Sequence, residues 1–359
     1  MKAALLRAYG DKLEIADVDL ADPAPNQVRV RIAASGVCHS DLSIQNGSMP
    51  YPVPCVLGHE GAGVVEAVGD AVTRVQLGDH VVISWIPPCR SCFFCLNGQP
   101  VLCDRGWAES FAAPYGSVDG APVQCGMGTA TFAEATLVLE RSVVPIDAAV
   151  PLEVAALIGC GVTTGVGAVL NTARVVPGSS VAVIGCGGVG LSAVMGAVVA
   201  GAARVVAVDT MPHKLELAGR LGATDLVDGS AGDPVAAVRE LTGGRGVDYG
   251  FEVVGRSPTI RQAFEMTRRG GTVTVVGAGR ADDIVSFNAM ELFLDAKAML
   301  GCVYGSADPD RDFPRLLDLW RAGRLPVEQL ITRRIALEDV NDAFAAMVAG
   351  EVARSVIVF

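Results

Sequence analysis

Four cysteines, Cys89, Cys92, Cys95 and Cys103, fall within fifteen residues of one another. In a reducing compartment thiols this dense point to metal rather than to disulfides. The spacing Cys-x2-Cys-x2-Cys-x7-Cys lets one loop fold around a single ion. Four thiolates at roughly 2.3 Å close a tetrahedron about zinc, which leaves no position for substrate and makes such a site structural. An iron–sulfur cluster is the competing reading, but bacterial cluster runs close with about three intervening residues and a proline. Here seven intervene and Asp104 follows, which favours zinc.

A second pattern, Gly185-Cys-Gly187-Gly188-Val189-Gly190, follows the apolar run Val181–Ile184 and opens a small-residue segment. Glycine patterns alone are weak in a chain with 42 glycines. Between a strand and a helix, however, these glycines permit a tight turn, close approach of backbone to a pyrophosphate, and close helix packing. Asp209 comes 19 residues after Gly190, at the end of the next apolar run. Its carboxylate would accept hydrogen bonds from ribose hydroxyls and repel a 2′-phosphate, so NAD is expected over NADP.

The elements that must hold these groups follow from periodicity. Residues 1 to about 150 read as β-rich, with alternation in Val28–Ile32, apolar runs at Gly63–Val65 and His80–Ile83, and Gly-Asp turns at 69–70 and 78–79. From about 160 to 300 strands and helices alternate: Val181–Ile184, Leu191–Ala200, Val205–Val208, Lys214–Leu221, Tyr249–Val254, Ile260–Thr267 and Thr272–Val276. That alternation predicts an α/β, doubly wound parallel sheet. Two amphipathic helices, Phe313–Trp320 and Val340–Val348, and a final strand Ser355–Phe359 complete the chain.

With 359 residues the chain suits two domains. Its formal charge of −11 argues against a nucleic-acid surface, which needs a basic stripe, and favours a small-molecule partner. Val154–Ala173 and Val175–Ala203 are uncharged and long enough to span a membrane, but glycine content and strand-then-helix order argue against that. Arg7 and Asp11 interrupt the apolar N-terminus too early for a signal peptide, so a cytoplasmic location is expected. The scarcity of lysine, four of 28 basic residues, reflects base composition rather than function.

Cys38, His59 and Cys160 are taken singly more often core residues than ligands. Their segments, Gly36-Val-Cys-His-Ser-Asp41, Gly58-His-Glu-Gly-Ala-Gly63 and Ile158-Gly-Cys-Gly-Val-Thr-Thr-Gly165, stand beside the thiol run, the glycine loop and Phe251-Glu-Val-Val-Gly-Arg256. Together they closely resemble the medium-chain, zinc-dependent alcohol dehydrogenases, nearly end to end. The resemblance implies a GroES-like β-barrel catalytic domain at 1–161, a Rossmann domain at 162–300, and a return to the catalytic domain at 301–359. It implies two zinc ions per subunit and a cleft holding NAD and the catalytic zinc. Cys38, His59 and Cys160 would hold that zinc, in the Cys2His arrangement known from alcohol dehydrogenases.

By the same resemblance Ser40 would take the alcohol proton, Asp41 would orient His59, and Glu60 would sit behind the zinc. His39, Thr164, Lys214, Val253, Val276 and Arg354 match cofactor-contacting positions, with Arg354 a candidate for the pyrophosphate. Met49, Trp85 and Met127 match the substrate-pocket wall. One departure stands out: the histidine that ends the proton relay in many members is Ser43 here. Cys55, Cys125, Cys186 and Cys302 read as buried fillers.

The implied activity is interconversion of a primary alcohol, with a hydrophobic or aromatic tail, and its aldehyde by hydride transfer to NAD. Its rivals are a thiol-adduct formaldehyde dehydrogenase of the glutathione or mycothiol type, a nicotinoprotein that keeps its NAD, and an inactive NAD-binding scaffold. The long segment between Cys103 and Met127 points to a homodimer, with a homotetramer as the alternative.

Overall fold

A computed structural model gives the fold for residues 1–112 and 115–359. The chain forms two compact units, one of Met1–Gly161, Ala307–Ala322 and Val327–Phe359, the other of Val162–Ser306 and Gly323–Pro326.

The first unit is organised by the ten-residue strand Gln27–Gly36. Its alternating Val28, Val30 and Ile32 all point into a core with Val65, Val81, Ile83, Val138 and Val143. The pairing with Glu60–Val68 shifts register between Arg29 and Val30 and again between Ile32 and Ala34, yet these three side chains stay on the buried face. The strand pairs antiparallel with Glu60–Val68, from Val28 opposite Val68 to Gly36 opposite Glu60. It also pairs antiparallel with Ala135–Leu139 and with the C-terminal strand Arg354–Val358. The return segment is therefore part of the sheet of this unit. A second six-stranded sheet includes Lys2–Leu6, Cys55–Val56 and Ala121–Cys125.

The first of the two membrane-length stretches belongs to the helix Leu152–Thr172, the one described helix long and apolar enough to cross a membrane, and 89% of its most apolar window is buried inside the protein. It is a core helix. Single turns of π-helix interrupt it at Ile158–Val162 and Ala168–Thr172, a local widening found often at functional sites. The other stretch resolves into the strand Ser180–Ile184 and the helix Gly188–Val199.

The second unit is a six-stranded sheet, parallel throughout. Numbered in chain order within the unit, its strands Ser180–Ile184, Arg204–Asp209, Asp225–Asp228, Val247–Glu252, Thr267–Val275 and Ala298–Gly301 lie side by side as 3-2-1-4-5-6. This is the dinucleotide-binding order, whose switch point lies between strands 1 and 4. The strands at Asp225–Asp228 and Ala298–Gly301, and the helices Pro234–Leu241 and Ala289–Asp295, were not marked by the periodicity. Half-exposed edge strands carry weak alternation and the helices are short, so little apolar signal reaches the sequence.

Candidate active site

The antiparallel pairing of Gly36 with Glu60 brings two distant segments together. Cys38 lies just beyond the end of one strand, as the residue preceding the helix His39–Gln45, and His59 lies just before the other. The π turn Ile158–Val162 carries Cys160 to the same place. Donor atoms of Cys38, His59, Glu60 and Cys160 all fall within 4.8 Å of one another, and all four residues are buried.

The buried carboxylate of Asp41 accepts from the Gly58 amide at 3.0 Å and faces His59 Nδ1 at 3.1 Å. That contact fixes the imidazole with Nε2 toward the thiols, and Nε2 is buried with no hydrogen-bond partner. An unpaired buried nitrogen is costly. Two thiols and this nitrogen form a donor set suited to zinc with one position left over. A hydrogen bond from Cys160, aided by the positive guanidinium of Arg354, holds the Cys38 thiol well below its ordinary value. Ser40 Oγ stands 3.9 Å from Cys38 Sγ.

Behind the donors lies a buried ion pair. Glu60 Oε1 accepts from Arg354 Nη2 at 3.0 Å and from the Gly161 amide at 2.9 Å. Arg354 Nη1 donates to the Val37 carbonyl at 3.0 Å. A side chain at Gly36 would strike the Glu60 carboxylate, and one at Gly161 would strike the Arg354 guanidinium. Burial pushes the Glu60 carboxyl up to about 7, against the opposing pull of Arg354. Arg354, matched by sequence to a pyrophosphate contact, thus has its observed partners beside the candidate metal ligands. The strand pairing of Arg354–Val358 with Gln27–Gly36 puts it there, and a sequence pattern carries no trace of that.

Met49, Trp85 and Met127 gather at one hydrophobic cluster, with Tyr51, Leu57 and Phe132. Phe111 joins the same cluster, and Trp107 packs edge-to-face on both Trp85 and Phe111. Sequence reasoning missed these two. Their four-residue separation on a short helix was the available signal.

The four clustered thiols also converge. Cys89 and Cys95 sulfurs are 4.0 Å apart, and those of Cys92 and Cys103 3.9 Å. A tetrahedron with bonds of roughly 2.3 Å has edges of about 3.8 Å, so zinc fits. The Cys89 amide donates to Cys103 Sγ at 3.2 Å and the Cys92 amide to Cys89 Sγ at 3.3 Å. Desolvation acts upward on the Cys89 thiol, but hydrogen bonds from Ser91 and its neighbours outweigh it and bring it to about 6. Arg90, in the left-handed region at φ 63°, grips Asp308 with two bonds of 2.7 and 2.6 Å. Asp308 caps the helix Pro309–Arg321, so the thiol loop is fastened to the return segment.

In the second unit the glycine loop sits at the C-terminal end of strand 1, at the switch point. Gly185 has φ 94°, and a side chain at Gly190 would fall on the Gly185 carbonyl. A Cβ at Gly187 would meet nothing within 4 Å. The protein's own packing does not explain that glycine, and the space is what a pyrophosphate would fill. Gly187 precedes the helix Gly188–Val199 and offers no side-chain cap, leaving Gly188, Val189 and Gly190 amides at a positive helix end. Asp209 accepts from the Cys186 amide at 2.6 Å and the Met211 amide at 2.9 Å, which holds its carboxylate against the loop.

Val253 and Val276 follow neighbouring strands, their amides bonded to Ile184 and Glu252 carbonyls. Lys214 is half-buried on the helix Pro212–Arg220, and Thr164 is buried on Thr163–Gly167. His39 is exposed at the start of its helix in the first unit. Cys55, Cys125, Cys186 and Cys302 are all buried, as fillers should be.

Residues 24–148 match the alcohol dehydrogenase GroES-like domain and residues 188–322 match the zinc-binding dehydrogenase domain. The chain is 40% identical to S-(hydroxymethyl)glutathione dehydrogenase of Synechocystis sp. over 99% of both proteins. It is 39% identical to the NDMA-dependent alcohol dehydrogenase of Amycolatopsis methanolica, over 99% of this chain and 98% of the other. The crystal structure of benzyl alcohol dehydrogenase from Acinetobacter calcoaceticus superimposes with a TM-score of 0.92 at 34% identity, covering 100% of this chain and 99% of that one. With its paired thiol sites and its dinucleotide loop, the chain belongs to the medium-chain, zinc-dependent alcohol dehydrogenases and is an NAD-dependent oxidoreductase.

Proposed function

We propose that the protein interconverts a primary alcohol carrying a hydrophobic or aromatic tail and the corresponding aldehyde. The observation that carries this reading is the buried convergence of Cys38, Cys160 and the unpartnered His59 Nε2, with Met49, Trp85 and Met127 gathered nearby. When bound, zinc supplies Lewis acidity that brings a hydroxyl's proton within reach of neutral pH, and NAD accepts the hydride.

The protein's residues do the rest. Asp41 holds the imidazole in one orientation, so that ligand geometry is set before substrate arrives. Ser40, beside Cys38, accepts the hydroxyl proton and passes it outward. By the family resemblance Ser43 replaces the histidine that finishes that path in many members, so the last step of proton exit falls to another group. Glu60 and Arg354 neutralise one another behind the thiols and pin the Gly161 amide, which fixes the turn bearing Cys160. The apolar residues exclude water and favour a hydrophobic tail over a short polar one.

The test is NADH formation from a panel of alcohols, with aldehyde reduction as the reverse assay. Activity confined to formaldehyde plus a low-molecular-weight thiol would overturn the reading in favour of the thiol-adduct enzyme. Stoichiometric NAD released only on denaturation, with turnover dependent on an added acceptor, would replace it with the nicotinoprotein.

A further inference from the structure

We infer that Glu252 is a positioning residue for NAD: its side chain anchors the turn at 253–255, which borders the dinucleotide crevice. The inference rests on the NAD site described above. Dinucleotides bind outside the C-terminal ends of the strands, at the switch point between strands 1 and 4. Glu252 is the last residue of strand 4, opposite Ile184 at the end of strand 1 and Val275 at the end of strand 5. Its side chain is fully buried. One oxygen, Oε1, accepts from the Val254 amide at 2.9 Å and from the Gly255 amide at 2.8 Å. The Thr259 hydroxyl, in the first turn of the helix Ser257–Met266, can give its proton to the same oxygen at 2.7 Å or to the Arg256 carbonyl at 2.9 Å. The backbone carbonyl of Glu252 accepts from the Val276 amide at 2.8 Å and from the Gly277 amide at 3.1 Å. One residue thus fixes the chain where it leaves both strand 4 and strand 5.

The anchored turn touches the glycine loop. A Cβ at Gly185 would lie 2.7 Å from Val254 Cγ2, so the turn and the loop are in contact. Gly255 has φ 81°, a Cβ there would strike the Ala278 backbone, and one at Gly277 would strike Gly255. Glycine permits this close approach but does not hold it, because it leaves the backbone its widest freedom. The Glu252 oxygen supplies the restraint. Packing does not account for the choice of side chain. Oε2 is buried with no hydrogen-bond partner among the described residues, a cost that an apolar side chain of similar length would avoid. An apolar side chain, however, could not hold two amides at one point. A turn held before the cofactor arrives spares the entropy of ordering it on binding. The backbone freedom of one residue corresponds to about a 5- to 30-fold change in Kd.

The experiment is a fluorescence titration with NADH of the full-length, zinc-loaded protein, comparing wild type with Glu252→Ala and Glu252→Gln, with melting temperatures and both KM values alongside. The alanine variant should raise the Kd for NADH about 5- to 30-fold. KM for NAD should rise with it, while KM for the alcohol at saturating NAD moves less. Glutamine keeps an oxygen for the two amides and should retain most of the affinity. A merely structural role would lower the melting temperature and leave the NADH constant unmoved, and that result overturns the assignment. A glutamine variant as weak as the alanine variant overturns it too, because the anchoring oxygen would then not be what matters. Should the alanine variant fail to fold, Glu252→Asp keeps the charge but withdraws the oxygen by one methylene; it should weaken NADH in the same direction, and unchanged binding overturns the inference. A folded wild-type protein that binds no NADH overturns the NAD site beneath it instead.

Discussion

Asp209 ends strand 2 with both carboxylate oxygens in use, one toward the Cys186 amide at 2.6 Å and one toward the Met211 amide at 2.9 Å. Each oxygen keeps lone pairs that the expected ribose contact would use. Hydrogen bonds to a charged group contribute about 1.5 to 3 kcal/mol, so removing the carboxylate should weaken NAD roughly 10- to 150-fold. The effect on NADP has the opposite sign. Two unit charges about 4 Å apart near a surface repel by about 4 kcal/mol, a roughly thousandfold penalty that the substitution relieves. Asp209→Gly removes charge, ribose bonds and both loop amide bonds. Asp209→Asn removes the charge but keeps an oxygen for one amide. The asparagine variant should therefore retain more NAD affinity than the glycine variant while both gain with NADP. The assay is kcat/KM with each cofactor at fixed ionic strength. A wild-type preference for NADP, or a NAD-to-NADP ratio that neither variant moves, would refute the reasoning.

Cys38→Ala should abolish turnover and lower zinc from two ions per subunit to one while leaving the melting temperature nearly unchanged; full activity of wild-type protein with one zinc would contradict this. Cys95→Ser should instead lower the melting temperature and the zinc content together, because a four-thiolate site contributes folding free energy directly. Ser43→His should raise the alcohol-oxidation rate below about pH 7, near the unperturbed imidazole range, and superimposable pH–rate profiles would show that proton exit does not limit turnover. Asp248, where strand 4 begins, accepts from the Ser180 amide at 2.8 Å and from Arg268 at 2.6 Å. Burial acts to raise its carboxyl, but these partners win and hold it below its usual value. A depressed folded-state value stabilises above the unfolded carboxylate range near 3.9 and is lost as pH falls through the folded one. Asp248→Asn should thus cost about 1 kcal/mol at pH 7 and progressively less as the pH falls below the unfolded carboxylate range, read by urea unfolding across a pH series.

What the sequence determined alone was whatever closes over a short span. The thiol run needs one loop to bring its sulfurs together, and their edges of 3.9 and 4.0 Å fit the ion that the spacing implied. The glycine loop needs one strand and one helix, and strand periodicity located both. The strand at Val28–Ile32 was legible for the same reason, since its alternation puts one set of side chains on the buried face. Tertiary structure decided what must cross the chain. Cys38 and His59 meet because two strands pair with Gly36 opposite Glu60, and Cys160 joins them through a buried helix whose Gly161 amide reaches Glu60 across 101 residues. Resemblance could name those residues, but spacing could not unite them. Arg354 lies beside Glu60 because the last strand pairs antiparallel with Gln27–Gly36, and Trp107 meets Trp85 and Phe111 through side-chain packing alone. Long-range contacts depend on sheet order and shared burial, which single-chain periodicity does not encode.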